Sequence, residues 1–462
     1  LQTEFGWIQD VLMGDTALKR AADFISPALI VLLCASIAGA QQPPQPAPPA
    51  SESDTARQSD NEPRERIVDP QQNPPKTPLP GRVVLAPFRW LAPRINSGLT
   101  KVEEDRLLIR VQKALNKPEF HPVIGGLGDG SGFGIGFYAA TPVGWAHLSK
   151  LWFQAQGTTR RYAEIRSGVE FTRNPEARFQ LGVEGRYRWR PEEDFWGAGI
   201  NSSRNRRSTY NLQEGGVGAV ASVSLLPAGV KPKLRVGVDI DYSHSAIKDG
   251  RDRRFARISQ EFASEIRSGQ LPGFIGGASL LAESAFVEFD GRDSRGNPEA
   301  GVYARASVTN HDSTNQADYG FINKRVDLQG YLPLGTKRRT LVLRALGDFN
   351  DEKGGSAIPF FRLARLGDQQ TLRGYDTYRF HGRNALMGTL EYRWQLARAV
   401  KWIAFTDIGQ VYNLSRELSR ENLRATWGTG VAFTTERSMP FRIMFAKSPE
   451  GSRIFFSFAP SF

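Results

Sequence analysis

In 462 residues the chain has one cysteine, Cys34. A disulfide framework and a cysteine-held zinc site are therefore excluded. Its five histidines are scattered, so no metal centre is expected either. Long apolar runs are equally scarce: only Ile25 to Ala40 qualifies, whereas a bundle of membrane helices needs several runs of ~20 residues. Lys19 and Arg20 precede that run, Pro27 and Ser36 interrupt it, and it ends in Ala38-Gly39-Ala40. This is the pattern of a secretory signal peptide over residues 1–40, with translation starting at Met13, rather than of a transmembrane anchor. The chain also lacks the Gly-x-Ser-x-Gly elbow, the phosphate-binding glycine loop, His-Glu-x-x-His and Cys-x-x-Cys. We therefore expect a protein that is not an enzyme and carries no cofactor.

The formal charge is +12, but the basic residues are spread along the whole chain among 48 acids. Without a basic stripe the charge suits anionic lipid headgroups better than nucleic acid, and no nucleic-acid partner is expected. Residues 41–80 hold 11 of the 28 prolines and almost no large apolar side chain. Such a segment cannot bury enough surface to fold, so we read a disordered, proline-rich periplasmic linker, able to tether a periplasmic protein. In 81–120 a short amphipathic helix is expected: Thr100 and Glu103 form a capping box, Leu108, Val111 and Leu115 recur at helical spacing, and Asn116-Lys117-Pro118 ends it.

From about residue 131 to the end the pattern changes to a period of two. Phe179, Leu181, Val183, Tyr187 and Trp189 alternate with Gln180, Gly182, Glu184, Arg186 and Arg188, and Leu234 to Ser243 and Leu386 to Leu396 repeat the scheme. Each segment thus has one apolar face and one charged face. A soluble sandwich would bury the apolar faces, whereas a membrane barrel turns them to lipid and the charged faces to a wet lumen. Strands of 10 to 13 residues, long loops at 191–206, 246–282 and 351–384 on one side and short turns on the other favour the barrel. The fold class is therefore all-β, a transmembrane antiparallel β-barrel of 16 strands over 121–462, in the bacterial outer membrane. About fifteen strands are clear, and the remaining one is expected just before residue 131. Gly128 to Gly136 reads as strand, its glycines giving a bare inner face beside Phe133, Ile135 and Phe137.

Several stretches together resemble the C-terminal barrel of the BamA/TamA superfamily, the bacterial surface antigen type. They are Leu366-Gly367-Asp368, Leu372-Arg373-Gly374-Tyr375, Glu391-Tyr392-Arg393, Phe405-Thr406-Asp407-Ile408-Gly409 and, upstream, Asp290-Gly291-Arg292-Asp293 with Pro298 and Gly301. The terminal Arg453 to Phe462 is similar to the family's assembly signal. The resemblance implies that the loop carrying Arg373, Gly374 and Tyr375 folds into the lumen, where Arg373 pairs with Glu391 and Asp407 as a lumen latch. Alternation agrees, since it puts both carboxylates on the polar face. Asp368 stands where the family has a second glycine, Pro460 interrupts the last strand, and residues 41–120 are too short for the family's periplasmic domains.

The resemblance further implies insertion, assembly or translocation of polypeptides at the outer membrane, with membrane lipids and client or secreted polypeptides as partners. A weak seam is expected between a first strand bearing Gly132, Gly134 and Gly136 and a last strand bearing Phe456, Phe458 and Phe462 on its lipid side. The alternatives are a transporter or pore gated by loop 351–384, or a structural barrel.

Overall fold

The computed structural model describes residues 119–457, apart from 129, 144–149, 172–177, 228, 253, 316–317, 398, 436–438 and 440. The expected signal peptide, linker and amphipathic helix, together with Phe458, Pro460 and Phe462, lie outside the described residues. In chain order the strands are β1 (Phe120–Ile124), β2 (Gly134–Pro142), β3 (Lys150–Thr158), β4 (Ala163–Glu170), β5 (Phe179–Phe195), β6 (Ser208–Ser224) and β7 (Lys233–Asp249). There follow β8 (Ala256–Arg257), β9 (Ala278–Asp290), β10 (Gly301–Ser313), β11 (Gly320–Leu334), β12 (Thr336–Glu352), β13 (Ala364–Leu366) and β14 (Phe380–Gly382). The last are β15 (Asn384–Ala397), β16 (Val400–Tyr412), β17 (Arg424–Phe433), β18 (Phe441–Ser448) and β19 (Gly451–Ser457).

Among the described residues the main sheet has seventeen strands, of which β8 is a two-residue strand lying parallel against β6. The others pair antiparallel in chain order from β1 to β19, while β13 and β14 form a separate hairpin within the loop that follows β12. The strand expected before residue 131 is β1, which pairs with β2 from Phe120↔Ala139 to Ile124↔Ile135. Among the described residues no ladder joins β1 to β19. No described helix is long and apolar enough to cross a membrane.

Alternation sorts the side chains by chemistry, with the polar ones inside. Phe179, Leu181, Val183 and Tyr187 on β5 and Val238, Ile240 and Tyr242 on β7 are exposed, whereas Thr389, Glu391 and Arg393 on β15 and Lys401 and Asp407 on β16 are buried. A water-soluble fold cannot leave such a continuous apolar belt in solvent. In lipid the same belt is satisfied, and closing a sheet into a barrel pairs backbone groups for which the membrane offers no partners.

Two strand expectations are corrected. β5, β6, β7 and β12 run 17 residues, longer than the 10 to 13 expected, while β1 has only 5. The long strands extend past the apolar belt because an apolar core caps their outer ends. Phe195 of β5, Tyr210 and Leu212 of β6 and Phe321 of β11 pack there with Ile258, Phe262, Phe360 and Phe361 from the loops. The outer loops are correspondingly shorter, and part of each is strand, 3-10 turn or short helix. The second correction concerns the glycines. Gly128, Gly130 and Gly132 have φ of 110°, 80° and 81°, so they form the β1 to β2 turn and not a strand. Gly134 and Gly136 do lie in a strand, but it is β2, paired on both sides, and not the first strand.

Candidate functional site in the barrel lumen

The loop 353–383 between β12 and β15 enters the lumen. Its descent begins with the β13–β14 hairpin, whose residues Ala364, Leu366 and Phe380 pack with Leu372 and Tyr375 against Leu346, Ala385, Met387 and Val411 of the wall. Gly367, with φ of 99°, turns the chain out of β13. At the next position Asp368 replaces glycine with an interaction: its carboxylate accepts from the backbone N–H of Gln370 at 2.7 Å and Thr371 at 2.6 Å, and from the Thr371 hydroxyl at 2.9 Å. An aspartate-centred turn thus supplies the local structure that the departure from the family pattern put in question.

That turn delivers Arg373 to the wall. Its Nη1 donates to Glu391 Oε2 at 2.6 Å, its Nε and Nη2 donate to the two oxygens of Asp407 at 2.8 and 2.7 Å, and its backbone N–H reaches Asp407 at 3.2 Å. The guanidinium lies over Phe405, 3.5 Å from the ring centre. The arginine and both carboxylates are buried. Charges removed from water are tolerable only with such complete pairing, and the planar fork of arginine matches a carboxylate with two parallel bonds. Burial works against the cation, yet Asp407 and Glu391 outweigh it and hold Arg373 firmly protonated.

Gly374 explains why no larger residue follows the arginine. A Cβ there would sit 2.8 to 3.0 Å from the backbone of Lys447 and Ser448 on β18. Tyr375 is buried edge-on against Phe380, with ring centres 4.9 Å apart, and its carbonyl accepts a hydrogen bond from Arg453 of β19. Arg373, Gly374, Tyr375, Glu391 and Asp407 therefore form one cluster. The seam set does not converge in the same way. Gly132 lies in a turn and Gly134 and Gly136 in the second strand, while Phe456 is exposed on the outer face of β19. Phe458 and Phe462 lie outside the described residues.

Sequence reasoning passed over several members of the cluster. Arg393 donates to the second oxygen of Glu391 at 2.7 Å, and Thr389 and Thr426 donate to Asp407 at 2.9 and 3.3 Å. Arg393 and Thr389 lie two residues either side of Glu391, so alternation already put them on its face. Thr426 is brought in by the β16–β17 register, Asp407↔Thr426, which no local pattern reports. On the inner side, loop 291–300 meets the same wall: Lys401 donates to Asn297 and to Glu299, both at 2.7 Å, and Asn297 donates to the Thr435 carbonyl at 3.0 Å. The upstream signature is thus a second in-folded segment, with Asp290 held by Arg292 at 2.9 Å and by Arg295 at 3.0 Å. Elsewhere the wall is charged, with a cavity of about 440 Å³ beside Gln180, Arg186, Asp239 and Glu288. No group of carboxylates and histidines suited to a metal ion occurs among the described residues.

An antiparallel membrane barrel with polar lumen and an arginine-bearing loop folded onto its inner wall defines a class of bacterial outer-membrane protein. The Omp85 superfamily domain matches residues 155–459, and the chain belongs to that superfamily. Among solved structures it is similar to BamA from Haemophilus ducreyi lacking POTRA domains 1–3, at 15% identity and a TM-score of 0.54, over 73% of this chain and 70% of that one. CdiB from Escherichia coli has 13% identity and a TM-score of 0.49 over 74% and 62% of the two chains. CdiB from Acinetobacter baumannii has 10% identity and a TM-score of 0.47 over 73% and 58%. The chain spans less than two thirds of either CdiB chain. No curated protein matches the sequence.

Proposed function

We propose that the chain inserts or assembles polypeptides in the outer membrane, acting through the junction of its first and last strands. The observation that carries this reading is the seam: among the described residues each barrel strand from β1 to β19 is laddered to the next, but no ladder joins β1 to β19. Strands β5, β6, β7 and β12 have 17 residues each, while β1 has 5 and the described part of β19 has 7. A junction made by the five-residue β1 can carry only few ladder hydrogen bonds. Unpaired backbone groups are costly in lipid, so such an edge can template an incoming strand. Arg373, Glu391 and Asp407 act as a latch that keeps loop 353–383 inside while the seam works. The partners on this reading are membrane lipids and client polypeptides.

The direct test locks the seam. Cysteine pairs on β1 and β19, scanned over neighbouring registers with Cys34 replaced by serine, should form a disulfide that abolishes function until it is reduced. Full activity in a verified crosslinked barrel would refute lateral opening. Depletion in the native host separates the two polypeptide-handling roles, because broad loss of other outer-membrane barrels marks insertion and loss of one secreted product marks transport.

A further inference from the structure

The same loop is held a second time, on a distant part of the wall. Arg362 sits in the 3-10 turn Phe360–Arg362, eleven residues before Arg373. Its Nη2 donates to Glu214 Oε2 at 2.8 Å and to Ser243 Oγ at 3.2 Å. Glu214 belongs to β6 and Ser243 to β7, whereas the partners of Arg373 are on β15 and β16. From β6 to β15 the ladder takes six steps, through β7, β9, β10, β11 and β12. At about 4.8 Å per step the wall path is about 29 Å. Eleven residues reach at most about 36 Å when fully extended, enough for this separation, so Arg362 and Arg373 anchor the loop to two well-separated parts of the wall.

Glu214 also touches the wall arginines Arg188 at 3.4 Å and Arg186 at 3.7 Å. Both are committed elsewhere: Arg188 to Glu164 at 2.8 Å, and Arg186 to Asp241 through two hydrogen bonds. The shortest contact to this nearly buried carboxylate therefore comes from the loop.

We propose that Arg362 and Glu214 form a second latch, which together with Arg373 makes loop 353–383 a bridge that closes the lumen to solutes. Arg362 is a positioning residue; it holds the loop and touches no client. The inference does not depend on lateral opening. With one latch broken, the other keeps the loop at high local concentration and reclosure is fast, so losing both has more effect than the two losses combined independently.

The test is conductance of the full-length protein in planar bilayers, with heat-dependent gel mobility as the check on folding. Arg362→Gln should raise the fraction of time spent conducting by about tenfold, since it breaks a hydrogen-bonded charge pair. Arg362→Lys, which keeps the charge, should fall between Gln and wild type, and Arg362→Gln with Arg373→Gln should exceed the product of the single effects. Wild-type conductance in a folded Arg362→Gln barrel overturns the proposal, as does a double variant no more open than Arg373→Gln alone. Should the glutamine variants not fold, cysteines at 362 and 243 joined by a short thiol crosslinker, with Cys34 replaced by serine, give the converse measurement. The crosslink should suppress the openings seen in its uncrosslinked parent, and unchanged openings overturn the proposal.

Discussion

Replacing Arg373 by alanine removes a single cation, but its two carboxylate partners suffer unequally. Glu391 keeps Arg393 at 2.7 Å. Asp407 loses the two guanidinium bonds and retains the backbone N–H of residue 373 at 3.2 Å and the hydroxyls of Thr389 and Thr426 at 2.9 and 3.3 Å, in a fully buried site. Stripping one partner from a buried ion pair costs ~3 to 5 kcal/mol, and losing the stack on Phe405 adds up to ~2 kcal/mol. The expected destabilisation of Arg373→Ala is therefore about 4 kcal/mol. Because much of that is the penalty of a stranded carboxylate, adding Asp407→Asn to Arg373→Ala should restore about half. Adding Glu391→Gln should restore little, since Glu391 still has its arginine. Arg373→Lys keeps the charge but not the fork and should cost about 2 kcal/mol. Urea unfolding of the barrel in detergent, followed by the shift in mobility on semi-native gels, measures all four variants. An Arg373→Ala change within about 0.5 kcal/mol of wild type, the range of ordinary surface substitutions, would refute the reasoning, as would equal rescue by the two carboxylate changes.

Gly374→Ala pushes a methyl against the Lys447–Ser448 backbone and should cost about 1 to 3 kcal/mol, seen as a lower melting point with the arginine pairs intact; an unchanged melting point counts against close approach at that position. Asp368→Ala removes an acceptor for two backbone N–H groups and should cost about 1 kcal/mol, while Asp368→Asn, which can still accept, should cost less. The ring of His381 is fully buried on β14, and both its nitrogens lack a hydrogen-bond partner among the described residues. Burial first, then Arg365 and Arg379, hold its pKa well below 6.5. The unfolded chain therefore binds a proton at His381 that the folded chain refuses, and stability falls as pH drops below about 6.5, by roughly 1.4 kcal/mol per unit. His381→Phe should flatten the stability curve between pH 7.5 and 5 relative to wild type, and parallel curves would remove His381 as the cause.

What the sequence by itself determined was the chemistry of each face and the identity of the central cluster. Alternation along β5, β7 and β15 separated lipid-facing from lumen-facing side chains, because a strand repeats every two residues and the membrane and the lumen accept opposite chemistry. The same rule put Glu391 and Asp407 on the inner face, and the order of short motifs picked out Arg373. Alternation cannot report where a strand stops when its outer end leaves the lipid and is capped by loop aromatics, so the 17-residue strands were underestimated. Nor does it separate a glycine in a strand from one in a turn with positive φ, which is why Gly132 was assigned to an edge that belongs to Phe120–Ile124. Only the tertiary structure brought Thr426 to Asp407, Arg362 to Glu214 and loop 291–300 to Lys401. Those contacts depend on sheet register and on the course of loops through the lumen, long-range facts that no local pattern of residues encodes.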